Sequence, residues 1–574
     1  MSSPHALDGA TRLWRRARMA PQIPKVRSGA ADPGPARASR LALSKPPRLR
    51  PSLRPSHGTF LLSDALDDPM RVISEWFTSG TGSAGSDPVT RSHRVLLGLV
   101  LLAWAMMTIP AFWVLPALDD WGSGIPITPF TWDLLWPTDS RWLPLAHLFR
   151  VAEFALPYPG FLHAMNALAH LTAIGLVGLL ARQCGGSRRS ALLAALACAI
   201  APSVGTAICS MDSDNHVWSN VFGLMSALVL LLGRSNRWRS YVGWLVFAML
   251  SVLWNEGGIA WFAAAPFMKA FAMMSRRSGG ERSEAPVSNQ DRSHAKQVYL
   301  RCGLELALGL VGVSIYFALR FLLLGKVALG TPGARYGIGF NPIAIAKKAA
   351  MILGTAASTV DTLALLSLRP RFWWALMSFA IGLPLLFIIG RRAKQDWSVH
   401  HWLLAALASL AVVAPFSVMG HVSEMYAQRP AAVLDILLIG ANWRRERTVP
   451  SRRWGQAAVA LAALACVIGN GHKLRAMVRV GETSVAMGRI IADTVGPDVP
   501  ASLCVVCEQP VGKVGYSVYE GPPGFASWCG LAARMQWGWD RQVAFHIVST
   551  VAECRRSDGP AISLTLSGQV QKLW

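Results

Sequence analysis

The apolar positions of the chain gather into long runs, separated by short basic or acidic breaks. A membrane-crossing helix needs about 17–25 apolar residues. Runs of roughly that kind fall at 95–116, 163–182, 190–209, 217–233, 241–255, 258–274, 302–324, 372–390, 401–419, 429–442 and 455–471. The pattern predicts an all-α polytopic membrane protein with about eleven transmembrane helices. A further stretch, 343–368, is only partly apolar, because Lys347, Lys348 and Asp361 interrupt it. It reads as an interfacial or re-entrant helix on the outer face.

The polar breaks supply the orientation. Basic clusters sit at Arg182, Arg188 and Arg189, at Arg234, Arg237 and Arg239, and at Arg276, Arg277 and Arg282. Two more follow at Arg391, Arg392 and Lys394, and at Arg444, Arg445, Arg447, Arg452 and Arg453. Cytoplasmic loops retain Lys and Arg. With 343–368 left uncrossed, every strong cluster falls on the side of the N-terminus. The expectation is a multi-pass protein of the inner membrane, with a cytoplasmic N-terminus and an extracytoplasmic C-terminus. Residues 1–93 are polar and rich in Arg, Pro, Ser and Gly. They read either as a disordered cytoplasmic tail or as a start called too early, with Met70 the initiator. Residues 94–471 form the transmembrane domain. Residues 472–574 read as a small extracytoplasmic domain, mixed α/β or irregular.

Composition agrees. Of 574 residues, 52% are hydrophobic and only 15% charged, where a soluble domain carries about a quarter charged. Mean hydropathy is +0.35 over the whole length, more than a single anchor could produce. A net charge of +24 would suggest nucleic acid for a soluble chain. Here the excess is topological, and no nucleic-acid partner is expected.

Ionisable groups at membrane depth are costly and default to function, and these gather toward the predicted outer ends of the runs. Asp119 and Asp120 follow the first run, and Arg141 lies ahead of an amphipathic stretch containing His147, Arg150 and Glu153. His163, Asn166 and His170 share one helical face. Asp212, Asp214, Asn215 and His216 fill a turn, Asn255 and Glu256 break an apolar stretch, and His421, Glu424 and Tyr426 occupy the last short outer loop. Three groups have a plainer use: Asp119 and Asp120 as helix caps, His163, Asn166 and His170 as interhelical hydrogen bonds, and Asp212–His216 as a solvated turn. Glu256, which interrupts an apolar stretch, is harder to dismiss. Carboxylate and imidazole from Asp212, Asp214 and His216 suit Mn or Zn. Their spacing is specific to no metal, so a divalent metal stays open and no cofactor is assigned.

The order of these elements resembles the polytopic glycosyltransferases of the GT-C type, of the protein O-mannosyltransferase and TMTC-like sort. The resemblance covers about 112–270: an acidic pair after the first span, Arg141-Trp142-Leu143-Pro144-Leu145, then Asn and His on the second span. Next come the alanine-rich run 191–202, an acidic turn, and Leu250-Ser251 leading to Asn255-Glu256. Ser423-Glu424-Met425-Tyr426 echoes a later Ser-Glu-Arg-Tyr stretch of such chains. Two departures remove cations: Asn255 stands where many relatives carry Lys, and Met425 where they carry Arg. Arg141, Arg335 and Arg429 are candidates to compensate.

The resemblance implies transfer of a sugar from a polyprenyl-phosphate donor to an acceptor on the outer face, whether protein, lipid or glycan. Asp119 or Asp120 would act as the base of a single inverting displacement. Arg141, Asn166, His170, Asp212, Asp214, Glu256, Glu424 and Tyr426 would bind substrate. The donor and membrane lipid are the implied partners. From other classes come a transporter or flippase of a lipid-linked or anionic solute, and a catalytically inactive membrane scaffold. A transporter should place charge near the midplane in two related halves, whereas these polar residues cluster at one face.

Cys504, Cys507, Cys529 and Cys554 lie in the region placed outside, where disulfides persist. One or two structural disulfides are expected among them, ahead of zinc or redox chemistry. Cys184, Cys198, Cys209, Cys302 and Cys466 fall in or near spans and read as small apolar residues.

Overall fold

The structure is a computed structural model. It describes residues 91–115, 143–146, 148–149, 160–209, 214–233, 238–277, 289–324, 339–358, 397–419, 424–441, 452–507, 525–538, 543–556, 559–565 and 569–574.

The chain is predominantly helical. In order come α1 (Arg91–Thr108), α2 (Gly160–Gln183), α3 (Arg188–Ile200), α4 (Pro202–Cys209), α5 (Asp214–Leu232), α6 (Trp238–Trp254), α7 (Trp261–Arg277) and α8 (Asn289–Leu324). Then follow α9 (Pro342–Ala357), α10 (Val399–Ser417), α11 (Gln428–Leu434) and α12 (Arg452–Val495). Among the described residues, six segments are long and apolar enough to cross a bilayer: Arg91–Trp113, Gly160–Gln183, Asp214–Leu232, Glu256–Arg276, Ser293–Leu324 and Val399–Ser417. The run expected at 372–390 lies outside the described residues, as do the basic clusters at 391–394 and 444–447.

α8 shows why this surface suits lipid. Leu300, Leu304, Leu308, Val311, Ile315, Leu319 and Leu322 are all exposed, and their three- and four-residue spacing forms one helical stripe. Such a continuous apolar stripe would be costly in water. The inner faces carry many small residues, among them Ala169, Ala173, Ala194, Ala199, Ala227, Ala264 and Ala408, all fully or nearly buried. Small residues let helices approach closely, as membrane bundles require.

Two expected spans are broken. The run 190–209 divides into α3 and α4 at Ala201–Pro202. Proline lacks a donor and its ring opposes the preceding turn, so the residue before it turns extended; Ala201 has φ −56° and ψ 128°. Polar groups of α12 meet the carbonyls at the break. Asn470 Nδ2 donates to the Ile200 carbonyl at 2.8 Å, and Lys473 Nζ to the Pro202 carbonyl at 2.7 Å. The run 429–442 is likewise irregular: a 3-10 turn at Glu424–Ala427, α11, then a π turn at Asp435–Gly440. π turns inside helices often mark functional sites.

Elsewhere α9 covers the first part of 343–368. It starts at an Asn341 cap accepting from Ile343 N and Ala344 N, packs against α10, and leaves Ile343 80% exposed. The expected boundary near 472 falls inside α12, whose 44 residues run unbroken to Val495. There Gly496, with φ +106°, takes the left-handed position that ends helices.

Beyond it lie β1 (Ser502–Cys507), α13 (Phe525–Trp537), β2 (Ala544–Val548), α14 (Val551–Cys554), β3 (Ala561–Leu564) and β4 (Val570–Lys572). The sheet order is β2-β1-β3-β4, with β1 parallel to both neighbours and β4 antiparallel to β3. Side chains alternate faces along a strand. Leu503, Val505 and Cys507 join Met487 and Ile491 of α12 and Cys529 of α13 in one core. Cys504 faces the other way and is disulfide-bonded to Cys554 of α14, Cα to Cα 5.8 Å. Residues three apart on a strand cannot converge, so Cys504 and Cys507 do not share a ligand. Cys507 and Cys529 are buried thiols on the same face. Burial, reinforced by Cys507, pushes the Cys529 thiol up to about 12; the one disulfide among the four cysteines is Cys504–Cys554.

Candidate functional site

The site grows from the break after α6. Asn255 leaves helical geometry and caps the 3-10 turn Glu256–Ala260, its Oδ1 accepting from Gly257 N at 3.0 Å. A Cβ on Gly257 would collide with Phe416 and the Arg429 guanidinium, so glycine is what admits α10 and α11 to this turn. Gly258 lies equally close to the backbone of Ser251. Below the break, Ser219 and Ser251 lock α5 to α6, each hydroxyl reaching the other residue's carbonyl at 2.6–2.7 Å.

Arg429 enters from α11 and is 2% exposed. Its Nη2 donates to Ser219 Oγ at 2.7 Å and to Asn255 Oδ1 at 3.3 Å. Its guanidinium lies 4.9 Å from the Phe416 ring centre. Phe416 in turn stacks on Tyr426 at 4.4 Å, and the His216 ring lies 5.8 Å from Tyr426. Asn255 Nδ2 points to Asn215 Oδ1 at 3.5 Å and to His216 Nε2 at 3.4 Å. A buried guanidinium is thus held by a hydroxyl, an amide and an aromatic face. Among the described residues no carboxylate pairs with it, although burying an uncompensated charge is expensive.

The next residue carries a second cation. Glu256 forms an ion pair with Arg320 of α8. Tyr316, one turn before Arg320, donates to Glu256 Oε1 at 3.4 Å and accepts from Arg320 Nη1 at 3.3 Å. Two cations thus reach this break from other helices, Arg429 against Asn255 and Arg320 against Glu256.

The expected site residues divide into three groups. Asp214, Glu256 and Tyr426 lie on the elements that meet here, Asp214 and Tyr426 buried. Asn166 and His170 are buried along α2 instead. His170 Nε2 faces the Ala199 carbonyl at 3.4 Å, and His163 Nε2 the Val114 carbonyl at 3.1 Å. Each histidine thus meets a backbone carbonyl of a neighbouring element. Asp119, Asp120, Arg141, Asp212 and the side chain of Glu424 lie outside the described residues, as does Arg335. Among the described residues no group of three His, Cys, Asp or Glu side chains gathers as a metal site, and the ligand set considered for one includes Asp212.

Part of the segment between α1 and α2 does reach this end of the bundle. Leu143 and Ala146 are buried with Trp254, and Phe149 meets Trp254 and Trp218 edge-on at 5.1 and 6.0 Å. Sequence reasoning did not single out Arg320, Tyr316, Ser219 or Phe416. An arginine with a tyrosine four residues before it, inside an apolar span, was the available signal for the first two.

By sequence the chain matches no described protein family and no curated protein. Among solved structures it is similar to ArnT from Cupriavidus metallidurans bound to undecaprenyl phosphate. That similarity has 14% identity and a TM-score of 0.44, and covers 83% of this chain and 93% of ArnT. It is also similar to the Archaeoglobus fulgidus oligosaccharyltransferase in its apo form, with 16% identity and a TM-score of 0.37. There the match covers 71% of this chain and 58% of the archaeal one.

Proposed function

We propose that the chain is a membrane glycosyltransferase, moving a sugar from a polyprenyl-phosphate donor to an acceptor at the outer face. The observation that carries this reading is Arg429, a buried cation with no carboxylate counter-ion among the described residues. A phosphate headgroup would supply the missing negative charge. The leaving phosphate gains charge as the glycosidic bond breaks, and a preorganised guanidinium stabilises that charge most where water is excluded. Ser219 and Asn255 hold its fork in place, so little reorganisation is needed when the anion arrives.

The base belongs to the other side of the sugar. Asp119 or Asp120 accepts the proton of the acceptor hydroxyl as oxygen attacks the anomeric carbon. One displacement with one base inverts that centre. Adjacent carboxylates point apart, so one performs this step while its neighbour orients the sugar. The sequence resemblance supports these roles.

The test is sugar release by the purified chain from a panel of polyprenyl-phosphate sugars, with Asp119→Asn and Asp120→Asn beside the native protein. Release by the native chain and its loss in one of the two variants is the expected outcome. Undiminished release from both refutes the base, and no release from any donor refutes the transferase reading.

A further inference from the structure

A second polar site lies among α2, α3, α5 and α11 and takes no part in the chemistry above. Four helices close around a cavity of about 10 Å³, room for a single water-sized guest. Its polar lining is His170 of α2, Asn220 of α5, Gln428 of α11 and Asp435 at the start of the π turn. Three oxygen atoms of this lining, Asn220 Oδ1, Gln428 Oε1 and Asp435 Oδ2, are buried without a hydrogen-bond partner among the described residues. Buried oxygens are ordinarily satisfied, and a lone carboxylate in such surroundings is costly. His170 Nε2 faces the Ala199 carbonyl, so that nitrogen is the donor and Nδ1 keeps a lone pair.

We propose that this cavity binds one sodium ion, with the Asp435 carboxylate and the amide oxygens of Asn220 and Gln428 as its ligands. All three unsatisfied atoms are acceptors, which a cation meets with a single guest. One carboxylate balances one positive charge. A divalent ion would leave a net charge buried, and such ions favour sites richer in carboxylates and water. Sodium is smaller than the water-sized guest this space admits, so the three oxygens can close on it, whereas potassium, about as large as a water, would hold them apart. The site also has a position that matters. Gln428 precedes Arg429 and Asn220 follows Ser219, so the ion ties α11 to α5 directly behind the Arg429 contact. The sodium site stands whether or not the chain transfers sugar.

Thermal unfolding of the purified full chain in detergent, in NaCl, KCl and choline chloride at matched ionic strength, tests it. Sodium is expected to raise the unfolding midpoint saturably, with potassium and choline equal to one another. Asp435→Asn, which keeps the side-chain volume, loses the sodium-specific shift. Gln428→Leu, a second variant should the first fail to fold, raises the half-saturating sodium concentration about tenfold. Equal midpoints in the three salts overturn the proposal, as they would if a protonated Asp435 and a water filled the cavity. A sodium shift undiminished in Asp435→Asn overturns it too.

Discussion

Two buried cations of the bundle are held in opposite ways. Lys269 of α7 meets the Glu305 carboxylate of α8 at 2.5 Å, with Tyr241 beside both: its hydroxyl on Glu305, its ring 5.2 Å from the ammonium. Arg429 has a hydroxyl, an amide oxygen and a ring, all neutral. The first arrangement is complete in itself and fastens two helices. The second leaves a positive charge in a preformed setting that an anion would complete. Burial and helix packing alone do not distinguish these sites; the nature of the partner does.

The largest effect expected from this contrast is on stability at the closed pair. Glu305→Gln strands the Lys269 charge and should cost about 3–5 kcal/mol, read as a lower unfolding midpoint, while transfer per folded molecule persists. Arg429→Gln should do the reverse. Transfer falls about 10²–10³-fold, equivalent to about 2.7–4 kcal/mol of transition-state stabilisation, with the unfolding midpoint little changed or raised. Cys554→Ser breaks the link to Cys504 and should destabilise the C-terminal sheet by about 2–4 kcal/mol, seen as local hydrogen exchange, with transfer intact. The smallest change is Ser219→Ala. It removes one ligand of Arg429 and should lower transfer about ten- to a hundredfold, from a charge-assisted hydrogen bond worth about 1.5–3 kcal/mol.

What could be read from the sequence follows the same division. Asn255 and Glu256 stood out because they interrupt an apolar stretch and Asp214 because it sits in an acidic turn, and the structure brings their elements together. Arg429 was visible as a charge at the head of a run, but its partners were not. Ser219 and Ser251 are small enough to leave hydropathy unmarked, and Phe416 looks like any other apolar residue. Their meeting depends on Gly257 and Gly258 admitting close neighbours, a fact of three dimensions. The break at Pro202 was legible in principle, since proline cannot continue a helix unperturbed, yet the apolar run carries straight across it. The cysteines illustrate the limit from the other side. Cys504-Val505-Val506-Cys507 suggests convergence until the segment is a strand, which sends its two sulfurs to opposite faces.

The account turns on whether Arg429 receives a phosphate. Binding of a polyprenyl phosphate to the purified chain, measured side by side for the native protein, Glu305→Gln and Arg429→Gln, asks this most directly. Saturable binding by the first two, and its loss or severe weakening in Arg429→Gln, is the result expected. Equal binding by all three would contradict the account, and Arg429 would then be another structural cation like Lys269.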